Sequence, residues 1–433
     1  MKKLMIVFVS IMFLAGCGST IKDPDSCSNG FHLEDEICVE DLHNEGSFES
    51  SDDLIDLFNS FREKTSLVSR GWGGVFMMEA STDDLASDAP SNNEDKGSDD
   101  YSETNNQVEG VDEMDNVLTD GKYIYIQNYN KIQIVLAYTM NDGHDVLSIV
   151  KEIDIDSLGR DDQTYFYFNG MYVDDERLVI VGTSYYNTCD VFYDDKHTDA
   201  PSEDGEEPDT DENGDEYYNC RYYEYHSVTN VMIYDKVDFE LEEEFELSGN
   251  FVGSRKIGDD MYFVTNEWVP FYMADYEDYD FNLDNYLPSY KVNDTTVELG
   301  YADVLYVEGT EPQTFTTFFG INLDTNEVST EVVLGEGGYN LYVSTENIYL
   351  TGTKWNWNWA MLDMLEEAAE DEETEPELEE DPYEIATSIV KIAISGGVVE
   401  FAANGEVPGM ALDQFAMDEK DGYVRIVTTS NNW

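Results

Sequence analysis

The stretch T-D-G-K-Y-I-Y-I, Thr119 to Ile126, is a turn containing Asp and Gly followed by a short strand of aromatic and β-branched residues. It recurs as D-D-E-R-L-V-I-V from Asp174, G-D-D-M-Y-F-V-T from Gly258, S-T-E-N-I-Y-L-T from Ser344 and K-D-G-Y-V-R-I-V from Lys420. Asp, Asn and Ser side chains bond the backbone amides just ahead of them, and Gly admits positive φ, so the opening residues reverse the chain. The residues that follow suit a pleated sheet. A supersecondary unit repeated in this way marks a repeat architecture.

Each phrase is followed by a second kind of strand: N-V-M-I-Y-D from Asn230, F-F-G-I-N-L-D from Phe318, S-I-V-K-I-A-I from Ser388. A further amphipathic strand comes next, such as F-E-L-E-E-E-F-E-L from Phe239. Three to four antiparallel strands per unit predict an all-β fold, a β-propeller of four-stranded antiparallel blades over residues 105–433. A sandwich would also give short strands and turns, but it would not repeat one phrase. The last phrase, at Lys420, is followed by too few residues to complete its blade, so the propeller is expected to be incomplete at the C-terminus. Acidic stretches at 192–219, 272–300 and 361–384 interrupt the blades and read as long loops.

Ahead of the strands, Ser50-Ser51-Asp52-Asp53 precedes Leu54, Ile55, Leu57, Phe58 and Phe61. Ser or Asp caps a helix and the apolar spacing places one stripe on it, so residues 45–72 are expected to be a short helical segment. Residues 73–104 carry Ser, Asp, Asn and Glu without periodicity and read as a flexible acidic linker. At the start, Lys2 and Lys3 are followed by an apolar run from Leu4 to Leu14 that is too short to span a bilayer. The next residues, Leu14-Ala15-Gly16-Cys17, resemble the lipobox of bacterial lipoproteins. That resemblance implies a signal peptide over 1–16, lipid on Cys17, a Cys-bearing collar over 17–44, and an extracytoplasmic protein tethered to the outer face of a membrane. Four cysteines remain. Cys27 and Cys38 flank a short loop, Cys189 and Cys220 a long acidic one, and pairing within each loop is expected, with the other two connectivities left open.

The chain has 433 residues, 95 Asp and Glu against 22 Lys and Arg, and a formal net charge of −73. Nucleic acid is excluded as a partner, because phosphate binding needs a basic footprint. A solvated surface suited to saline surroundings and a surface that captures divalent cations are both compatible with this balance.

Several groups of residues are candidate sites. D-T-D-E-N-G-D resembles the first half of an EF-hand loop and offers Asp209, Asp211, Asn213 and Asp215 to Ca2+, although Cys220 stands where the loop wants a bidentate Glu. A solvated acidic loop is the alternative. Glu109, Asp112 and Asp115 are regularly spaced and could hold a metal or do acid–base work, or could instead bond turn amides and pair with Lys or Arg. Arg255 is a rare cation that could grip an anionic ligand or bridge two blades. Trp355, Trp357 and Trp359 alternate in K-W-N-W-N-W, so on a strand their rings would share a face and form a ligand platform or pack as core. The chain carries no H-E-x-x-H, G-x-S-x-G, P-loop or dinucleotide fingerprint.

Three stretches, Ser102 to Ile126, Ser248 to Thr265 and Gly405 to Thr429, resemble the bacterial and archaeal secreted "beta-propeller domain" family, distantly related to WD-repeat propellers. The resemblance implies an extracytoplasmic propeller and brings no catalytic residues with it. Together these readings point to a membrane-tethered lipoprotein whose propeller is a binding or scaffolding module for a protein or glycan, assisted by Ca2+. A carboxylate-dependent, glycosidase-like hydrolase and a structural acidic envelope protein are the alternatives.

Overall fold

A computed structural model describes residues 31–34, 37–40, 46–48, 50–71, 106–137, 140–141, 144–145, 147–158, 165–189, 223–270, 282–306, 310–357, 383–420 and 422–430. The described chain is mostly β, with four antiparallel sheets of four or more strands that we number as blades 1 to 4, and short pairings of a fifth. Blade 1 is Val117–Thr119, Tyr123–Asn128, Lys131–Leu136 and Ser148–Asp154. Blade 2 begins with Tyr165–Val173, Arg177–Cys189, Tyr223–Asp235 and Leu241–Ser248. Blade 3 begins with Asn250–Ile257, Asp260–Trp268, Thr314–Asn322 and Glu327–Gly335. Blade 4 is Asn340–Val343, Asn347–Trp357, Tyr383–Ser395 and Val398–Pro408. In blade 5, Met417–Lys420 pairs with Tyr423–Ile426, and Met410–Ala411 with Thr428–Thr429.

The recurring phrase is the turn from first to second strand. Asp120 Oδ1 accepts the amides of Lys122 (2.9 Å) and Tyr123 (2.6 Å). Asp174 Oδ1 does the same for Glu176 (2.9 Å) and Arg177 (2.7 Å), and Ser344 Oγ for Glu346 (3.4 Å) and Asn347 (3.1 Å). Blade 3 turns on Gly258, whose φ of 60° lies in the left-handed region. The turn from third to fourth strand repeats the device: Asp235 Oδ1 caps Val237 and Asp238, and Asn322 Oδ1 caps Asp324 and Thr325.

The core lies between blades, because the sheets of blades 2, 3 and 4 each bury both faces. In blade 3, Met261, Phe263, Phe319 and Ile321 pack on Val179, Val181 and Phe245 of blade 2. From the opposite face, Tyr262, Val264 and Phe318 pack on Leu341, Ile348 and Ile392 of blade 4. Leu178 and Ile180 of blade 2 meet Tyr125, Ile132 and Ile134 of blade 1. Each such side chain contributes about 1.5–3 kcal/mol when fully buried. Two-sided burial explains why the strands read as near-continuous apolar runs.

Polar contacts close the same seams. Lys236 pairs with Asp120 (2.7 Å) and Lys151 with Glu240 (3.0 Å) between blades 1 and 2. Arg177 pairs with Asp259 and Asp324, and Lys256 with Asp174 (3.1 Å), between blades 2 and 3. Among the described residues Lys151, Arg177, Lys236 and Lys256 are thus placed at blade junctions, while Lys131, Lys291, Lys354 and Arg425 pair within a blade.

The helix Ser51–Gly71 is capped by Ser50, whose Oγ accepts the Asp53 amide at 3.3 Å. Leu54 and Phe58 of its stripe are buried against Phe315, Val332 and Leu334 of blade 3. Gly46–Ser47 pairs with Val304–Tyr306, which runs parallel to Glu327–Gly335 at the outer edge of blade 3. None of the described helices is long and apolar enough to cross a membrane.

Three sequence expectations need correction. The stretch 272–300 is not a simple loop: from 282 onward it holds a 3-10 turn, Leu283–Tyr286, and a hairpin, Ser289–Val292 and Thr295–Glu298, added to the outer edge of blade 2. Local hydrophobicity there is low because the hairpin rides on an existing sheet edge. The strand expected from Phe239 starts at Leu241, since Phe239 has a φ of 57° and belongs to the preceding turn. The acidic stretch placed at 361–384 ends earlier, because Tyr383 and Glu384 already pair with Trp357 and Asn356. The stretch 192–219, the signal peptide with Cys17, and the linker over 73–104 lie outside the described residues.

Candidate functional site

In all three blades that carry an acidic insertion, it leaves the sheet at the same place, between the second and third strands. These junctions lie at the end of the blades opposite the Asp120, Asp174 and Ser344 turns, since successive strands are antiparallel. The same end exposes aromatic rings: Tyr165 is 80% accessible, Tyr167 65%, Tyr225 72% and Trp268 53%. By strand register Tyr165, Tyr167, Tyr185 and Tyr225 share one face of blade 2.

A cavity of about 310 Å³ opens at this end between blades 2 and 3. Blade 2 supplies Tyr186, His226 and Glu246 to its wall, and blade 3 supplies Glu267. The described part of the 272–300 segment closes it with Tyr286 and Lys291. The His226 ring stacks on Tyr186 with centroids 5.3 Å apart and 24° between planes, and Tyr286 lies 5.8 Å away on a tilted ring. Glu267 Oε1 is 4.0 Å from His226 Nδ1. Burial pushes the Glu267 carboxyl up to about 8, which favours the uncharged acid near neutral pH, a form able to donate a hydrogen bond. Glu246 is also buried and holds Lys291 Nζ at 3.1 Å. Two carboxyls thus stand in one cavity with opposite electrostatic surroundings.

A second carboxyl pair lies at blades 3 and 4. Glu336 Oε1 accepts the Glu311 amide at 3.1 Å, and Glu311 Oε2 accepts Gln313 Nε2 at 2.7 Å. Burial, with Glu336 beside it, pushes Glu311 up to about 7, and burial raises Glu336 as well.

The segment around Glu109, Asp112 and Asp115 works through its backbone. Asp112 exchanges amide–carbonyl bonds with Lys256 on the first strand of blade 3, and Asp115 with Met171 on the first strand of blade 2. Gln107 Nε2 reaches the carbonyls of Gln414 (3.1 Å) and Met417 (3.4 Å) in blade 5. Val111 is buried against Tyr262 and Leu341, and Met114 packs beside Gly170. This stretch therefore touches the first strands of blades 2, 3, 4 and 5. The Asp112 carboxylate accepts from Asn106, and that of Asp115 from the Asn116 amide. Among the described residues no group of three or more His, Cys, Asp or Glu is placed to hold a metal ion, so Glu109, Asp112 and Asp115 are not brought together as ligands.

Arg255 is buried at the same junction. Its guanidinium meets Glu113 (3.2 Å), Gln414 Oε1 (3.0 Å) and the Ser254 carbonyl (2.7 Å), so it bridges the central stretch, blade 3 and blade 5. Trp355 and Trp357 lie on the second strand of blade 4, opposite Ile385 and Tyr383. Trp359, the loop of Asp209, Asp211, Asn213 and Asp215, and the cysteines Cys27 and Cys220 lie outside the described residues. Cys38 lies in the strand Ile37–Glu40 and Cys189 ends the second strand of blade 2; neither side chain is described, so the pairing expectations lie outside the described residues too.

Sequence reasoning missed Glu267, His226 and Glu246. The available signal was a single acid closing an apolar strand, in M-Y-F-V-T-N-E-W from Met261.

A family model described as Beta propeller domain matches residues 101–433. Comparison with the curated proteins finds no match to the chain.

Proposed function

Because the chain belongs to the beta propeller domain family, we propose that it is a binding module, a rigid ring carrying its recognition surface at one end. The observation that carries this reading is the rooting of all three acidic insertions at equivalent junctions, on the end that also exposes Tyr165, Tyr167, Tyr225 and Trp268. Loops on a rigid scaffold are where recognition concentrates, and exposed aromatic faces stack on flat or sugar-like ligands. The reading includes export and a lipid tether on Cys17, supported by the L-A-G-C motif, and Ca2+ held by Asp209, Asp211, Asn213 and Asp215, supported by their spacing.

The test is a glycan and envelope-polymer array probed with the chain and with a variant in which residues 192–219, 272–281 and 361–382 are replaced by short Gly-Ser turns, which spares the hairpin on blade 2 and the cavity-lining residues from Asn285 onward. Binding lost in the variant at unchanged thermal stability supports the proposal; retained binding rejects a loop-borne surface. Thermal shift with calcium and with a chelator addresses the metal separately, because a ligand of the folded state raises its stability.

A second reading, carboxylate-dependent hydrolysis, is favoured by the presence of Glu246 and Glu267 in one cavity with unlike surroundings. Turnover of reporter glycosides that is abolished in Glu267→Gln would support it.

A further inference from the structure

The cavity between blades 2 and 3 combines features that together select a ligand chemistry. Its volume, about 310 Å³, stands at the small end of ligand pockets, roughly 300–1,000 Å³, and suits a single ring. One wall is aromatic, made of Tyr186, His226 and Tyr286. The remaining lining offers hydroxyls and an amide, from Ser227, Ser289, Thr296 and Asn285. The charges inside are Glu246 and Lys291, which neutralise each other at 3.1 Å, and Glu267, which burial holds in its acid form. Among the described lining residues Lys291 is already held by Glu246, so an anion would have to displace that carboxylate within a chain of net charge −73. A cation would have to compete with Lys291 for Glu246 or ionise a buried acid, and both cost free energy. An uncharged polyol meets neither obstacle, since its hydroxyls need donors and acceptors in equal measure and its C–H face suits an aromatic wall.

We propose that this cavity binds one neutral pyranose ring, with the sugar face on the Tyr186–His226–Tyr286 wall and the hydroxyls bonded to Glu246, Lys291 and Glu267. The inference rests on the binding reading above and names a ligand class for it. Glu267 acts as a positioning donor: it gives a hydrogen bond to a sugar oxygen while protonated. The titratable groups around it are His226 and Tyr186 from blade 2, Glu246 with Lys291, and Tyr286 and Tyr290 from the closing segment. Of these, His226 Nδ1 lies 4.0 Å from its carboxyl.

The experiment is saturation-transfer NMR and calorimetry on the full chain with glucose, galactose, mannose and N-acetylglucosamine. Tetramethylammonium and inorganic phosphate serve as charged probes. The expected result is saturable binding of at least one neutral sugar, weakened at least tenfold in His226→Ala and in Lys291→Met. Sugar affinity of the unaltered chain should fall at least tenfold between about pH 6 and about pH 9, while Glu267→Gln, which keeps a donor at all pH values, holds a flat profile. Tyr186→Ala, made at a half-exposed ring outside the main core clusters, is the variant that keeps the test valid if His226→Ala fails to fold. Binding of none of the sugars, sugar binding unchanged in every cavity variant, or binding of a charged probe alone overturns the proposal. Array binding that survives the cavity variants but is lost with the insertions leaves the module reading intact and removes only the cavity. Sugar binding that survives loss of the insertions does the reverse.

Discussion

Asp112 and Lys256 exchange both of their backbone hydrogen bonds, 2.7 Å from the Asp112 amide and 3.1 Å in return. The opening stretch of the ring is thus joined to the innermost strand of a blade more than a hundred residues further along the chain, and through Asp115 to the innermost strand of its neighbour. The bond is made by the main chain, so it ignores the identity of the side chain that sequence reasoning had singled out.

Asp112→Pro removes that amide and should lower stability by about 1–3 kcal/mol, the cost of a buried bond left unmade. Asp112→Ala keeps the amide and loses only an exposed bond from Asn106, so it should stay within about 0.5 kcal/mol. Urea midpoints of the two variants check the contrast. Equal effects would mean that the carboxylate, not the backbone, matters.

Blades 3 and 4 approach so closely at Gly320 that an added Cβ would lie 2.3 Å from the Gly397 carbonyl oxygen. The obstacle is backbone, so it has little freedom to move aside. Gly320→Ala should destabilise by about 1–3 kcal/mol or more, as overpacking does, and the same unfolding measurement reads it.

Stability should decline with rising pH on the neutral side. Glu267 (up to about 8) and Glu311 (up to about 7) hold protons in the folded chain that the unfolded chain has already released. Wherever the folded state binds more protons, stability falls as pH rises, here from the ordinary carboxylate range through those values. Asp120 and Asp174 oppose this at low pH. Burial works to raise both, but Lys236 beside Asp120 and Lys256 beside Asp174 hold them below the usual range, so their contribution is lost as pH falls through it. Denaturant midpoints from about pH 4 to about pH 9 should therefore peak on the acidic side of neutrality, and Glu267→Gln should flatten the upper limb.

Salt should stabilise the fold. The self-repulsion of 95 acidic residues acts over distances that salt screens, the Debye length shrinking from about 10 Å at 0.1 M to about 3 Å at 1 M. The seam pairs are contact pairs, several half-buried, and lose less. Urea midpoints should rise with sodium chloride; a steady fall would show that the seam pairs dominate.

Much of the ring was legible because its turns are chemical. Asp120, Asp174 and Ser344 announce themselves as residues that bond the next amides, and the strands between them are apolar on both faces. The helix stripe was legible too, but not its docking on blade 3, which depends on where Leu54 and Phe58 meet Phe315 far away in sequence. The cavity was not legible for the same reason. His226 and Glu267 come from different blades, and only the seam brings them together. Glu109, Asp112 and Asp115 misled because spacing advertises side chains, whereas here the amides and carbonyls do the joining.

Rooting three insertions of unlike sequence at equivalent junctions separates what must be inherited unchanged from what is free to drift. Doubling the length of such a loop adds only about 0.6 kcal/mol of closure entropy, less than one misplaced methyl at Gly320. Descendants of this gene can therefore exchange entire loops while the blades beneath are passed on intact.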